Sequence, residues 1–470
     1  MIPKIKQLQK DSFIYGFGGA LSRSIQLIAL PLFTRIFTPS EYALIDMLTI
    51  VNGFLASTIN LGLHMAQTVY FFEEKENGMH AQKEVVTSIF QLKIIWGLTI
   101  VLICTLLSPV FNVVFFESRL TWEYFLLAFT GSLFIQVSAQ SANLLRLLFC
   151  PWRYTIITGL QSFGSMAIAV VVILIFDIGI LGIIIGTLIG SIFSAAMGSW
   201  MVRNYIDFSK WYSNLWPQLI RFGFPLIPCA FALWLMTSLD RILIMNIMGS
   251  EAMGIYAVGI KFAAVLSLIV GAIRQAWLPI AMDAIQTEEG KDLLRHASSV
   301  YLGVGLIVAI IITLFAPMAI EHLAPKEYFG SYEIVGMLTL YHVFYGYLLI
   351  SQLGLLKNKK TYSMTIIAII CALINLGVSY TLIPILGILG AAIGTTAAII
   401  LRNLLSQVLS QKHYPVNFNN KLLVFQFILA LTTIVYISLN GVTTNTVFLS
   451  SLSIAFIIIQ TYKEYKVINK

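Results

Sequence analysis

Long apolar runs fill most of the 470-residue chain, and they restrict it to one architecture. A helix needs roughly 20 consecutive apolar residues to cross the hydrocarbon core of a bilayer, which is about 30 Å thick. The runs are too long and too uniformly apolar for the strands of a membrane barrel, which alternate in polarity over about ten residues. We therefore predict an all-α integral membrane protein with about fourteen transmembrane helices. The predicted spans are residues 12–36, 42–70, 86–108, 123–148, 154–176, 178–201, 218–247, 252–280, 294–316, 332–356, 361–383, 385–409, 421–440 and 443–460.

The composition agrees with this class of protein. Hydrophobic residues make up 58% of the chain and charged residues only 11%, whereas a soluble domain carries about 25% charged residues. No basic segment is combined with exposed stacking aromatics, so nucleic acid is excluded as a partner and membrane lipids are expected instead. The net charge of +8 is explained by the excess of Lys and Arg residues that cytoplasmic loops of membrane proteins carry.

The Lys and Arg residues predict the orientation in the membrane. If the N-terminus is cytoplasmic, twenty of the 29 fall in cytoplasmic segments, six lie within spans, and three (Arg35, Arg119 and Lys326) lie outside. Cytoplasmic loops normally carry the excess of these residues. Both termini are therefore predicted to be cytoplasmic, which requires an even number of spans.

An internal repeat predicts the domain organisation. Residues 179–187 read GILGIIIGT and residues 387–395 read GILGAAIGT, an offset of 208, while Ser40-Glu41 and Ser250-Glu251 are offset by 210. The offset covers six helices, and an even number preserves orientation, so the repeats are parallel. We predict two six-helix lobes around a central cavity and a two-helix appendage. The lobes are residues 1–203 and 204–412, and the appendage is residues 413–470.

Catalytic and metal-binding motifs are missing from the sequence. It contains neither a phosphate-binding glycine loop ending in Gly-Lys-Ser/Thr nor an HExxH pair. The four cysteines are far apart and form no CxxC pair, so no metal site is indicated. We expect a transporter without a cofactor rather than an enzyme. An H+ or Na+ gradient and downstream polymerisation both stay open as energy sources.

Charged residues inside the spans are the candidate functional residues. A charge at the bilayer centre costs about 2.5–3.5 kcal/mol unless it faces a cavity, a partner or water. The cations are Arg23, Lys93, Arg241, Lys261, Arg274 and Arg402. Arg402 is interpreted as snorkelling to the interface. The clear acids are Asp46 and Asp240, which are candidates for ion coupling or gating; Asp240 and Arg241 could equally form a structural ion pair.

Polar stripes on predicted helices extend this set. Asn52, Asn60 and His64 recur at helical spacing, and Gln26 shares a face with Arg23. Such stripes either line a cavity or join helices. A cavity lined by cations suits an anionic cargo, because Arg binds phosphate through its planar donor fork and Lys as a point charge. The predicted cavity residues are Arg23, Lys261, Arg241, Arg274, Lys93, Asn52, Asn60, His64, Gln26 and Tyr256.

Three segments carry a family resemblance. They are SRSIQLIALPLFTRIFTPSEYAL in the first helices, FGFPLIPCAFALWLMTSLDRILIMNIMGSEAMGIYAVGIKFA at 222–263, and INLGVSYTLIPILGILGAAIGT at 374–395. The chain resembles the O-antigen type of polysaccharide flippases in the multidrug/oligosaccharidyl-lipid/polysaccharide (MOP) exporter superfamily. Residues matching the family pattern are Arg23, Asp240, Arg241, Tyr256 and Lys261.

The resemblance implies a function and its partners. It implies twelve core helices plus two, and alternating access that carries undecaprenyl-diphosphate-linked oligosaccharide from the cytoplasmic to the periplasmic leaflet of the bacterial inner membrane. A polysaccharide polymerase and a chain-length regulator are candidate protein partners. The alternatives are a cation-coupled multidrug exporter of the same superfamily and a lipid II flippase. A glycan polymerase or ligase is disfavoured, because the longest outer segments, near 109–122 and 317–331, are short and apolar.

Overall fold

The part of the chain that the structure describes is helical, apart from short connections. The computed structural model describes residues 24–25, 27–224, 226–285, 287–358 and 360–468, and these residues contain no β-strand. Among them are twelve helices long and apolar enough to cross a membrane, and each overlaps a predicted span. The predicted span 218–247 is covered by two helices, whereas most of the predicted span 12–36 lies outside the described residues. The prediction of an all-α membrane protein is confirmed, with fourteen as an approximate number of spans.

The helices are numbered here in chain order. They are α1 (Leu27–Ile36), α2 (Pro39–Asn60), α3 (Leu63–Glu73), α4 (Met79–Leu106), α5 (Ser108–Phe115), α6 (Trp122–Leu147), α7 (Pro151–Gly159), α8 (Ser165–Phe176), α9 (Ile180–Met201), α10 (Trp216–Gly223), α11 (Leu226–Met248), α12 (Ser250–Ala263), α13 (Val265–Ala284), α14 (Glu289–Leu323), α15 (Tyr332–Ser351), α16 (Leu353–Lys357), α17 (Thr361–Leu386), α18 (Ile388–His413), α19 (Asn420–Asn440) and α20 (Thr444–Ile468). A π-helical turn, Leu160–Gly164, joins α7 to α8.

Packing divides the chain into two compact units. Unit 1 comprises Met1–Ala29 and Leu44–Ser238, and unit 2 comprises Leu30–Ala43 and Leu239–Lys470. The predicted lobes, residues 1–203 and 204–412, stay a prediction. The two C-terminal helices belong to unit 2, where they pack on α14 and α15. A Cβ atom added at Gly303 would lie 2.0 Å from Thr461 Oγ1, and one at Gly336 would lie 2.5 Å from Ile434 Cγ2.

The start of α2 is specified locally. Thr38 donates its main-chain N–H to Glu41 Oε2 at 2.9 Å, and the main-chain N–H of Glu41 points back to Thr38 Oγ1 at 3.4 Å. This is a capping box, and Pro39 occupies the first helical position, where its missing N–H has no cost. The helix ends at Asn60 because the next two residues, at 61–62, adopt left-handed φ angles.

The repeated glycine motif forms the same turn in both copies. Gly179 has φ 55° and ψ −131°, and Gly387 has φ 60° and ψ −142°, a region that glycine enters far more readily than other residues. In each turn the main-chain N–H of the glycine three residues further on donates to the carbonyl oxygen of the first glycine at 3.0 Å. A Cβ at Gly186 would lie 2.2 Å from Ala169 Cα, so helices α8 and α9 approach as closely as small residues allow.

Candidate functional site

A membrane helix of unit 1 is broken at Leu61–Gly62, between α2 and α3. The φ angles there are 46° and 65°. A break leaves main-chain groups without helical partners, and lipid offers none. A side chain of α4 supplies one of them: Trp96 Nε1 donates to the carbonyl oxygen of Thr58, in the last turn of α2, at 2.9 Å. On the other side of the break, Asn143 Nδ2 of α6 donates to the carbonyl oxygen of His64 at 3.1 Å. The break is therefore stabilised by specific polar contacts.

A cavity of about 350 Å³ lies beside this break. Asn60, His64 and Arg146 contribute its polar lining together with Ser57 and Thr68. His64 Nε2 is buried and has no hydrogen-bond partner among the described residues. Two predicted residues, Asn60 and His64, therefore line the same cavity as Arg146, a cation that was counted among the cytoplasmic Lys and Arg residues.

Lys93 is buried next to the same cavity. Its side chain is fully inaccessible, and Nζ lies 3.4 Å from Asn60 Oδ1 and 3.4 Å from the carbonyl oxygen of Gln136. Within the described part of the chain both partners are neutral. A buried ammonium group without a carboxylate is costly, so this residue needs a functional or structural reason to persist.

Asn52 does not share the cavity of Asn60 and His64. It lines a separate cavity of about 90 Å³ with Thr49 and Gly131, and its Oδ1 atom is buried without a partner in the described residues. The predicted polar stripe of this helix is therefore divided between two cavities of unit 1. Asp46, on the same helix, is 4% exposed and has an interaction partner.

A second polar group lies in unit 2. Tyr256 OH donates to Asp240 Oδ2 at 2.7 Å, and Arg241 Nε lies 3.9 Å from Asp240 Oδ1. Tyr256 is fully buried and Asp240 is 8% exposed. Three predicted residues therefore come together here. Lys261 lies half-buried on α12 and also has an interaction partner.

Arg274 lies elsewhere in unit 2, on α13. Its guanidinium carbon lies 4.5 Å from the ring centroid of Tyr345. It also lines an apolar cavity of about 450 Å³ formed by α13, α14 and α15, to which Tyr465 of α20 contributes. This arrangement places a cation at the edge of an otherwise hydrocarbon-like groove.

Two predicted residues, Arg23 and Gln26, lie outside the described residues. Sequence reasoning missed Arg146 and its neighbours on α6. A signal was available, because Gln136, Gln140 and Asn143 recur at helical spacing on α6 and end next to that arginine. Counting Lys and Arg for topology assigned it to a loop instead.

Comparison with known proteins identifies the family. The model of the family described as "Polysaccharide biosynthesis protein" matches residues 8–286. The chain belongs to this family. No curated protein matches the chain.

Solved structures show the same fold as this polysaccharide biosynthesis protein. The lipid II flippase MurJ, in an inward closed conformation, has a TM-score of 0.71 and 16% identity, covering 96% of this chain and 99% of its own. An inward-facing multidrug resistance MATE family transporter of the MOP superfamily has a TM-score of 0.69 and 14% identity, covering 83% and 94%. A Vibrio cholerae MATE transporter has a TM-score of 0.56 and 17% identity, covering 87% and 96%.

These TM-scores establish the fold, and together with the family match they confirm the resemblance to the MOP exporters. The chain is a multi-pass membrane protein with a transporter fold.

Proposed function

We propose that this protein is a flippase for a lipid-linked oligosaccharide. The cargo is an undecaprenyl-diphosphate-linked repeat unit of the O-antigen type, moved by alternating access from the cytoplasmic to the periplasmic leaflet of a bacterial inner membrane. Family membership supports a role in polysaccharide biosynthesis. The similar fold of MurJ, a lipid II flippase, supports a lipid-linked cargo.

The observation that carries the proposal is the environment of Lys93. A cation at this depth has a large insertion cost, and its two neutral partners could be satisfied by an uncharged side chain. Asn60 connects it to the cavity that Arg146 lines. Two positive charges around one cavity create a potential that attracts a diphosphate headgroup.

The apolar groove of unit 2 supports the lipid part of the cargo. Its lining is almost wholly hydrocarbon, and Arg274 is the one charged residue among the described residues that line it. Such a surface can hold an alkyl or prenyl chain without bringing it into contact with polar groups, because the lining is as apolar as the lipid tails it replaces. The groove therefore suits a cargo that combines a long apolar chain with an anion.

Transport in proteoliposomes tests this function. The full-length protein is reconstituted with undecaprenyl-diphosphate-linked oligosaccharide, and flipping is followed by the access of a membrane-impermeant glycosidase to the glycan. We expect Lys93→Met to slow flipping by roughly 10- to 150-fold, the effect of removing a charged hydrogen bond of about 1.5–3 kcal/mol. Lys93→Arg, which keeps the charge, should retain most of the rate.

The matched control is Lys75→Met, which removes an exposed lysine in the turn after α3. It should flip at the wild-type rate. An unchanged rate in Lys93→Met would remove the main support for a cationic headgroup path. No flipping by the wild-type protein would contradict the proposed function itself.

The first alternative is a cation-coupled multidrug exporter. It requires buried carboxylates that bind the coupling ion, and Asp46 and Asp240 are the buried acids among the described residues. They stay the predicted coupling or gating residues. Drug efflux that depends on the protein and is lost in Asp240→Asn would favour this alternative over the flippase.

The second alternative is a flippase for lipid II. It is favoured by the fold similarity to MurJ. The discriminating measurement is viability: the protein is expressed in a strain depleted of its own lipid II flippase. Rescue of growth would assign lipid II as the cargo, whereas accumulation of a different lipid-linked glycan after gene deletion would support the O-antigen type.

A further inference from the structure

Three helices of unit 2 meet at a histidine–glutamate pair, defined here as His296 of α14 and Glu464 of α20. His296 Nδ1 lies 2.5 Å from Glu464 Oε2, and the two side chains are 16% and 15% exposed. Asn419 Nδ2 donates to Glu464 Oε1 at 3.4 Å, while Asn419 Oδ1 accepts from the main-chain N–H of Leu422 and so caps α19. One carboxylate therefore connects the beginnings of α14 and α19 to the end of α20.

Buried polar side chains continue from this pair along the same three helices. One residue on each helix lies one or two turns further from the helix end than the pair and its cap: Ser299, Thr461 and Gln426. Asn419 and Thr433 of α19 both bond to side chains of α20. Gln426 lies seven residues from each of them, so the heptad spacing places it on the same face of α19. The three helices thus share a polar seam, defined as these three residues.

The polar seam has no hydrogen-bond partners among the described residues. Ser299 Oγ, Thr461 Oγ1 and both amide atoms of Gln426 are buried and unpaired. Residues that only join helices use their hydrogen bonds for that purpose, as Thr433 and Ser453 do at 2.8 Å in the same interface. A buried polar atom without a partner is costly, and bound water normally satisfies it. The seam therefore points to water as its ligand.

Other charged groups lie near the pair, but none of them forms an ion pair with it in the described part of the chain. The nearest along the three helices are Asp292 and Arg295 on α14, Lys421 on α19, and Lys463 and Lys466 on α20. The neighbouring helices α13 and α15 contribute Arg274 and His342, which contact the rings of Tyr345 and Tyr341 instead. Glu464 is thus the carboxylate that meets the imidazole.

We propose that the histidine–glutamate pair is a hydrated proton-binding site that attaches α20 to α14. While the imidazole is neutral, His296 Nδ1–H donates to the Glu464 carboxylate. Water bound along the seam delivers a proton to His296 Nε2, and the imidazolium then forms an ion pair with the carboxylate. Histidine ordinarily changes its charge between about pH 5 and 8, and a hydrogen bond between charged groups is stronger than a neutral one. Acidification therefore tightens the contact.

The position of the pair gives the proton a structural effect. Tyr465 directly follows Glu464 and lines the apolar groove of about 450 Å³ formed by α13, α14 and α15. The end of α20 is thus part of the groove wall, and its attachment to α14 depends on the charge of His296. The relevance of this wall to a prenyl chain rests on the proposed function; binding of the proton does not.

Hydrogen exchange of the full-length protein in detergent tests the site. Exchange of the peptide covering residues 458–468 is followed by mass spectrometry between about pH 5 and 8 and divided by the intrinsic rate at each pH. We expect protection of the wild-type protein to fall about tenfold as the pH rises, because a charged hydrogen bond becomes a weaker one. His296→Gln, which keeps an amide donor, and Glu464→Gln should each make protection independent of pH.

The matched control is His322→Gln. His322 also lies on α14 and its Nδ1 lies 2.8 Å from the carbonyl oxygen of Met318, but it is exposed and at the opposite end of the helix. This variant should keep the wild-type pH dependence. Thermal unfolding shows which variants are folded, and the pH profile of the wild-type protein tests the site without any substitution.

Hydroxyl-radical footprinting with X-rays tests the bound water, because radicals formed from it oxidise the side chains around it. Peptides of α19 and α20 that contain Gln426 and Thr461 should be oxidised in the wild-type protein. Gln426→Leu, which replaces the amide by an apolar side chain of similar size, should reduce this oxidation.

Four outcomes separate the claims. Protection of the wild-type peptide that does not depend on pH overturns the proton site. An unchanged pH dependence in folded His296→Gln assigns the proton to another group and overturns the pair. Equal oxidation in wild type and Gln426→Leu overturns the hydrated seam. A pH dependence that is lost in His296→Gln, combined with no glycan flipping by the wild-type protein, supports the site and contradicts the proposed function alone.

Discussion

Polar side chains have different partners in the two units. In unit 1, Trp96 and Asn143 donate to main-chain carbonyls around the helix break. In unit 2, Arg274 rests on the ring of Tyr345, and Arg402 Nε has no hydrogen-bond partner in the described residues. Trp96 and Asn143 bind the backbone on either side of the break, whereas Arg274 and Arg402 donate to no main-chain carbonyl in the described part of the chain. We therefore expect substitutions of the two unit 1 residues to lower the free energy of unfolding, and substitutions of the two arginines to change it little.

The predicted repeat sharpens this contrast. The offset of 210 between Ser40-Glu41 and Ser250-Glu251 also relates His64 to Arg274. His64 lies one turn beyond a left-handed break, while α12 passes into α13 through a residue at 264 that keeps right-handed angles. Polar positions that the repeat predicts to be equivalent are thus presented by a broken helix in one unit and by a nearly continuous one in the other.

The largest expected effect concerns the backbone around the break. A Cβ atom at Gly223 would lie 1.8 Å from the carbonyl oxygen of Leu61. Gly223→Ala should therefore destabilise the protein by roughly 1–3 kcal/mol or more, because a main-chain oxygen cannot move aside as a flexible side chain can. Thermal unfolding in detergent measures this. Gly53→Ala is the control, since its nearest neighbour, Trp234, would be 3.6 Å from the new atom; equal losses in both would contradict the close approach.

An intermediate effect compares one polar residue from each unit. Asn143→Ala should cost about 1–3 kcal/mol, because it leaves the buried amide oxygen of Gln67 without its donor. Arg274→Gln should change the unfolding temperature little, because Arg274 forms no hydrogen bond among the described residues. A loss of stability in Arg274→Gln as large as that in Asn143→Ala would show that the arginine is structural too.

The smallest expected effect is a pH dependence of opposite sign in the two units. In unit 1, the hydroxyl of Ser209 holds the pKa of the Asp207 carboxyl below its usual value of 3.8. Its contribution to stability is full above that value and is lost as the pH falls through the lowered pKa. In unit 2, burial raises the pKa of Tyr414 above its usual value of 10.0. That contribution is full below 10.0 and is lost as the pH rises through the raised pKa.

NMR titration of the labelled side chains checks both directions. Ser209→Ala should raise the pKa of Asp207 and leave that of Tyr414 unchanged. A pKa of Asp207 that does not respond to this substitution would show that the hydroxyl is not the cause of the shift.

Much of the fold could be predicted from the sequence. The length of the apolar runs, compared with the thickness of a bilayer, located the twelve spans that the structure describes. The break at Leu61–Gly62 was not predicted, because Leu-Gly-Leu within an apolar run is equally compatible with a continuous helix. The left-handed φ angles of these two residues depend on contacts with side chains distant in sequence, such as Trp96.

The candidate site was predicted less completely. Residue type and depth singled out Lys93, and helical spacing added Asn60, which it contacts. The contact of His296 with Glu464 was missed, since they lie on different helices and their meeting depends on how α14 and α20 pack. Spacing along one helix identifies a face, but only packing between helices shows what that face meets.

The glycine turns at Gly179 and Gly387 have a consequence for substitution. They require a backbone conformation that side chains disfavour, and the helices that follow them approach neighbours too closely for a larger residue. The two segments therefore keep the same glycines at the places where the chain has almost no freedom to change.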